Sequence, residues 1–244
     1  MVIYSFKGFK YTKLENILHI TDSIFKSLSD ENLSIRVFAA ICAPNFFGHK
    51  DIKTKLDQHI PNILTIYINL MNELDLEEIL ISLEYIVQIF NEKIKDFVVD
   101  LTKILVDRFH KMCKVDDDNL NTNSPIVKEG IIKTLISIIS IFAKHQSLFE
   151  LIYKEIREII QYGFLDDGIE NYEDSLDLIL SICKGGDRIY AGVWEFYIPI
   201  LDSILGSEEE IGKNKIENPN TVFIGHGYEH FEQIINNILF FITR

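Results

Sequence analysis

Helical stretches in this chain come in pairs, and the pairs recur at a nearly constant distance. Leu14, Ile17, Leu18, Thr21, Ile24, Phe25 and Leu28 follow i, i+3, i+4, i+7 spacing, which predicts a helix over 11–28 with one apolar face. A second stretch follows at once, over 33–43, with Ala39, Ala40 and Ala43 small enough for close helix contact. The same reading yields ten helical stretches: 11–28, 33–43, 51–73, 75–92, 94–113, 124–144, 147–164, 169–183, 190–205 and 228–243. Paired in order, they start near residues 12, 51, 94, 147 and 189, about 39, 43, 53 and 42 residues apart. The long interval contains the polar run 114–124, and removing those eleven residues restores the period.

A period of roughly 40–47 residues built from two helices is that of HEAT and armadillo units. Such hairpins bury their apolar faces only by stacking on one another. The expected fold is therefore all-α: a single solenoid over 1–244 of about five hairpins, with loop inserts near 114–124 and 206–227. The only strand-like run, 221–224, has no partner. A globular helical bundle would not require the repeat.

Local signals set the expected boundaries. Ser29-Asp30 ends the first helix and can cap the second, which should stop near Pro44. Pro61 should break or kink the third stretch, Asp75 should cap the fourth, and Ser124-Pro125 should open the helix after the polar run. Gly185-Gly186 should close the helix over 169–183. Arg36 should lay its stem on apolar surface with its head in water. The helix over 124–144 is apolar almost all round, so it should be sandwiched.

Composition narrows the function classes. Net charge is −13, and a nucleic-acid binder needs a basic footprint, so direct nucleic-acid binding is not expected. Such acidity suits a basic protein partner, or plain solubility. The three cysteines, Cys42, Cys113 and Cys183, are odd in number and lack C-x-x-C spacing, which points to a reducing compartment and small buried or half-buried thiols. The first ten residues lack the form of a signal peptide, and the apolar run 130–143 is too short to span a bilayer. The chain is expected to be soluble and intracellular, without a membrane partner.

No catalytic set can be assembled. His226 and His230 flank Glu229 four residues apart, but no third metal ligand is placed and the pattern is not H-E-x-x-H. The glycine pairs carry no phosphate-loop pattern. Neither a metal, a cofactor nor an enzyme activity is expected.

Three stretches resemble a known family. They are Leu33-Ser-Ile-Arg-Val-Phe-Ala-Ala40 followed by Ile60-Pro-Asn-Ile-Leu64; Leu83-Glu-Tyr-Ile-Val-Gln-Ile-Phe-Asn-Glu92 leading into 94–109 and an acidic loop; and Trp194-Glu-Phe-Tyr-Ile-Pro-Ile-Leu201 with Gly227-Tyr-Glu-His-Phe-Glu232 beyond it. In order and spacing they resemble the importin-β (karyopherin-β) superfamily of nuclear transport receptors, on its importin seven/eight side, in the middle to C-terminal part. The resemblance implies a receptor, or a fragment of one, that shuttles between cytoplasm and nucleus. Its implied partners are basic cargo such as ribosomal proteins or histones, nucleoporins and, in a full-length receptor, the GTPase Ran. The N-terminal hairpins used for Ran are not among these residues. The resemblance also implies that second helices line the concave surface. Candidate cargo contacts there are Glu77, Glu78, Glu84, Glu173, Asp174, Asp177, Glu229 and Glu232, with the loop acids Asp116, Asp117 and Asp118 beside them. An acidic wall would attract Lys- and Arg-rich cargo; ordinary solvated helix faces are the plain alternative. The other function class open to such a chain is a HEAT scaffold or regulatory subunit unrelated to transport.

Overall fold

The structure is a computed structural model that describes residues 14–113, 124–186 and 190–197. Among them it is all-α, as the period predicts. The nine α-helices are α1 (Leu14–Ser27), α2 (Leu33–Phe47), α3 (Lys50–Leu56), α4 (Ile60–Glu73), α5 (Glu77–Phe90), α6 (Val98–Cys113), α7 (Ser124–Phe142), α8 (Gln146–Gly163) and α9 (Tyr172–Gly185). Short 3-10 turns connect several of them. The predicted last helix, the strand-like run 221–224 and the insert 206–227 lie outside the described residues, as does 114–123. The chain divides into two compact units, Met1–Ile104 with Asp116–Ser137, and Leu105–Val115 with Ile138–Arg244.

In the first unit α1 packs on α2, α2 on α5, and α4 on α5. The stacking of α2 on α5 joins the second helices of successive hairpins, which is how such units bury their faces. Ala39, Ala40 and Ala43 are all buried, as small residues at a close helix approach should be. Helix α7 continues the pattern at Gly130, where an added Cβ would lie 3.0 Å from Leu80 Cβ on α5. Val127, Ile131, Ile132 and Leu135 are buried around it, and even Lys128 is only 6% exposed.

Four boundary expectations need correction. Asp30 does not cap α2: its Oδ1 accepts from the Asn32 amide at 2.8 Å, and Asn32 Oδ1 is the cap, accepting from Ser34 N–H at 2.9 Å. Asp75 does not cap α5 either, because the helix starts one residue too late for it; Leu76 holds that position without a side-chain bond. Arg36 is not a free head in water. Its guanidinium pairs with Glu73 at 2.6 Å and donates to the carbonyls of Asp30 and Glu31, and it is 22% exposed.

The fourth correction concerns Pro44, which lies inside α2. Proline has no N–H, so the Ala40 carbonyl loses its donor four residues on. Tyr67 of α4 supplies the replacement: its hydroxyl donates to the Ala40 carbonyl at 2.6 Å, fully buried. With that acceptor satisfied the helix continues to Phe47, and Gly48 caps it. Pro61 behaves as expected: α3 and a 3-10 turn, Asp57–His59, precede it, and it sits in the first turn of α4. Asn91, at φ 48°, closes α5 in a conformation that asparagine tolerates better than most residues.

In the second unit α8 packs on α9. Their approach depends on Gly163, where a Cβ would fall 2.0 Å from Ser175 Oγ and 2.8 Å from the Asn171 carbonyl. Gly185 similarly meets Ala143, whose Cβ would lie 2.6 Å away. Phe109 meets Tyr162 edge-on at 6.2 Å. Phe149, Ile152, Ile156, Ile159 and Ile160 form the buried face of α8. Cys183 is buried and Cys113 partly so, but Cys42 is exposed, against expectation, in a groove lined by α1 and α2.

Candidate functional site

The acids singled out from the sequence fall into three groups. Asp116, Asp117, Asp118, Glu229 and Glu232 lie outside the described residues, as do His226 and His230. Glu77, Glu78 and Glu84 are on α5 in the first unit, and Glu173, Asp174 and Asp177 are on α9 in the second.

On α5, Glu77 and Glu78 occupy the first turn, where the helix dipole favours negative charge, and both are half-buried. Glu84 stands seven residues after Glu77, on the same stripe. Its Oε1 accepts from Ser137 Oγ at 3.0 Å and from Gln88 Nε2 at 2.9 Å, and Gln88 also reaches Ser137. Glu84 therefore helps dock α7 on α5. Lys133 of α7 pairs with Glu129 at 2.5 Å. That hydrogen bond holds its ammonium above the ordinary lysine value, and Glu77 and Glu84 add to the negative field around it. Lys133 is thus paired with one acid and lies in the field of two more.

On α9, Glu173 and Asp174 are again in the first turn. Glu173 and Asp177 are four residues apart on one face and exposed, whereas Asp174 is half-buried. These two exposed carboxylates are the most accessible of the described candidates.

Sequence reading missed another charged cluster. Glu195 receives two bonds from Arg157 of α8, at 2.7 and 2.8 Å, and one from the Tyr153 hydroxyl at 2.6 Å. Arg157 holds the carboxyl below the usual glutamate range, with Tyr153 helping. Burial, followed by the bond to Glu195, pushes the Tyr153 hydroxyl well above the ordinary tyrosine value. Tyr153 and Arg157 share a face of α8 at i, i+4, the one signal present beforehand. Their partner is 38 residues beyond Arg157, which no local pattern reveals. Among the described residues no group of acids, histidines and cysteines is arranged to hold a metal, and no helix is long and apolar enough to cross a membrane.

The fold and its charged groups define a helical-hairpin protein in which Glu84 serves packing in the first unit and exposed acids lie on α9 in the second. Comparison with known proteins places it more closely. The chain is 21% identical over 204 residues to a probable importin-7 homolog of Dictyostelium discoideum, covering 84% of this chain and 19% of that protein. It is 20% identical over 183 residues to human importin-8, covering 74% and 18%. It is also 20% identical over 210 residues to an importin beta-like SAD2 homolog of Arabidopsis thaliana, covering 85% and 20%. No family model and no solved structure matches. The resemblance to the importin-β superfamily, on its seven/eight side, therefore holds. The chain spans about a fifth of the length of these relatives.

Proposed function

We propose that this chain acts as part of an importin-like nuclear transport receptor, binding basic protein cargo for import into the nucleus. The observation that carries the reading is the match to three importin-named proteins, from an amoeba, a human and a plant, over 74–85% of the chain. Net charge and exposed carboxylates support it physically. A chain of −13 attracts Lys- and Arg-rich partners, and Glu173 and Asp177 are open to solvent on α9. Glu77 and Glu78 join them as contacts of the second rank. Glu84 contributes mainly by holding α7. The loop acids Asp116–Asp118 and the distal Glu229 and Glu232 belong to the same proposal.

The mechanism is binding without chemistry, within one repeat domain whose inserts are 114–124 and 206–227. Long-range attraction brings cargo in, and short contacts to exposed carboxylates hold it. The receptor shuttles between cytoplasm and nucleus, with nucleoporins as transit partners and Ran as a partner of the longer receptor. A pulldown with the purified chain tests this. Recovery of histones or ribosomal proteins and nucleoporins supports the proposal. Recovery of a fixed stoichiometric set of other subunits, with none of these, replaces it with the scaffold reading.

A further inference from the structure

The second unit holds a cavity of about 590 Å³ that none of the candidate acids lines. Phe149 of α8 and Ile182 of α9 give it a buried, apolar lining. Tyr190 lines it too, and meets Phe149 edge-on at 5.3 Å and Tyr153 at 4.6 Å. Gly192 permits that aromatic packing, since a Cβ there would fall 2.6 Å from the Tyr190 ring and 2.8 Å from the Tyr153 ring. Two exposed charged residues also line the cavity, Glu150 of α8 and Lys144 just before that helix. Glu150 makes no hydrogen bond or ion pair among the described residues. Its charge is felt inside the cavity: the Tyr190 hydroxyl is held above its ordinary value by burial first, then by Glu150 and Glu195.

We propose that this cavity receives an arginine side chain of a partner protein, with its stem on Phe149 and Ile182 and its guanidinium against Glu150 and Tyr190. The inference rests on the cargo reading and adds to it a contact that Glu173 and Asp177 do not form. Charge complementarity selects this occupant. An unpaired carboxylate beside an aromatic ring suits a cation, which the ring attracts as well. The apolar lining covers the methylene stem of a long basic side chain while its head stays at the charged rim. Arginine fits better than lysine, because a planar, weakly hydrated guanidinium can stack on tyrosine and pair with a carboxylate at once. An anionic occupant would meet the unpaired Glu150, and a wholly apolar one would take that charge out of water with nothing in return. Lys144 opposes the cation from its own place on the lining. The two charges therefore predict effects of opposite sign when each is removed.

Fluorescently labelled octa-arginine, titrated into the purified chain at near-physiological salt and followed by anisotropy, tests this. Glu150→Gln should weaken binding about fivefold. Glu158→Gln removes the same charge from an exposed position of α8 outside the cavity, and should weaken it less than about twofold. Lys144→Gln should tighten binding about twofold. Tyr190→Phe keeps the ring and should bind as the wild type does, whereas Tyr190→Leu should lose about threefold, and octa-lysine should bind more weakly than octa-arginine. Equal effects of Glu150→Gln and Glu158→Gln would reduce the attraction to net charge and overturn the proposal. So would weaker binding in Lys144→Gln, which would make the occupant an anion. Octa-arginine binding that follows the predicted pattern, with no histone recovered in the pulldown, would contradict the cargo reading and leave the arginine site standing. Histone binding that ignores both Glu150→Gln and Tyr190→Leu would overturn the arginine site and leave the cargo reading intact.

Discussion

At the level of single residues, Pro44 and Tyr67 show how a rule of sequence is overridden by one distant side chain. Proline strands the Ala40 carbonyl, and the Tyr67 hydroxyl, 27 residues away, takes the place of the missing amide. Burial pushes the Tyr67 hydroxyl far above its ordinary value, so it remains a donor across the working pH range. Tyr67→Phe removes the donor and leaves a buried acceptor unsatisfied, at a cost of about 1–3 kcal/mol. In a Pro44→Ala background the backbone amide returns, and the same Tyr67→Phe change should cost clearly less. A double-mutant cycle by urea unfolding measures this coupling. Equal costs in both backgrounds would mean that Tyr67 merely fills space. Reading toward Pro44 could not anticipate the outcome, because nothing near Pro44 in the sequence announces Tyr67.

At the level of elements, the positions of the helices were legible and their joints were not. Periodic apolar residues identify α1, α5 and α8 because each has one face to bury. The true cap, Asn32, stood two residues beyond the expected Asp30, since Asp30 instead bonds the Asn32 amide. The exposed Ile35 and Phe38 of α2 are a different case: apolar residues spread over most of that helix, so its pattern does not say which of them face outward. Gly163 reads as an ordinary helix end, yet its lack of a side chain lets α8 approach α9. Gly163→Ala should destabilise the fold by about 1–3 kcal/mol despite alanine's better helix propensity, because the Asn171 backbone cannot yield. A melting point at or above that of the wild type would contradict this close approach.

The Glu195 cluster is the joint that fastens the segment after α9 onto α8. Arg157 holds the carboxyl below its ordinary range, so protonation is harder in the folded chain than in the unfolded one. Its contribution is therefore complete above the ordinary glutamate range and is lost as pH falls through the lowered one. Glu195→Gln should lower stability at pH 7 by on the order of 1 kcal/mol, a modest figure because the pair is partly solvated. The gap between wild type and variant should close on acidification below about pH 4. Urea unfolding at both pH values checks it. A gap that persists in acid would assign the effect to packing instead.

For the whole molecule, charge and kinship carry the functional reading while geometry supplies its contact points. The candidate acids were legible as residues but not as a surface. Glu84 is committed to Ser137 and Gln88, and the Glu77–Glu84 stripe faces Lys133, so helix sequence alone overstated how many carboxylates are available. Glu173 and Asp177 are exposed on α9. The most direct measurement is a titration of the purified chain with a histone at low and near-physiological salt, repeated with Glu173→Gln/Asp177→Asn. Binding that saturates, weakens about tenfold or more on raising the salt, and weakens further in the double variant is the predicted result. Absence of binding at low salt, or binding insensitive to both salt and the variant, would contradict an acidic cargo surface.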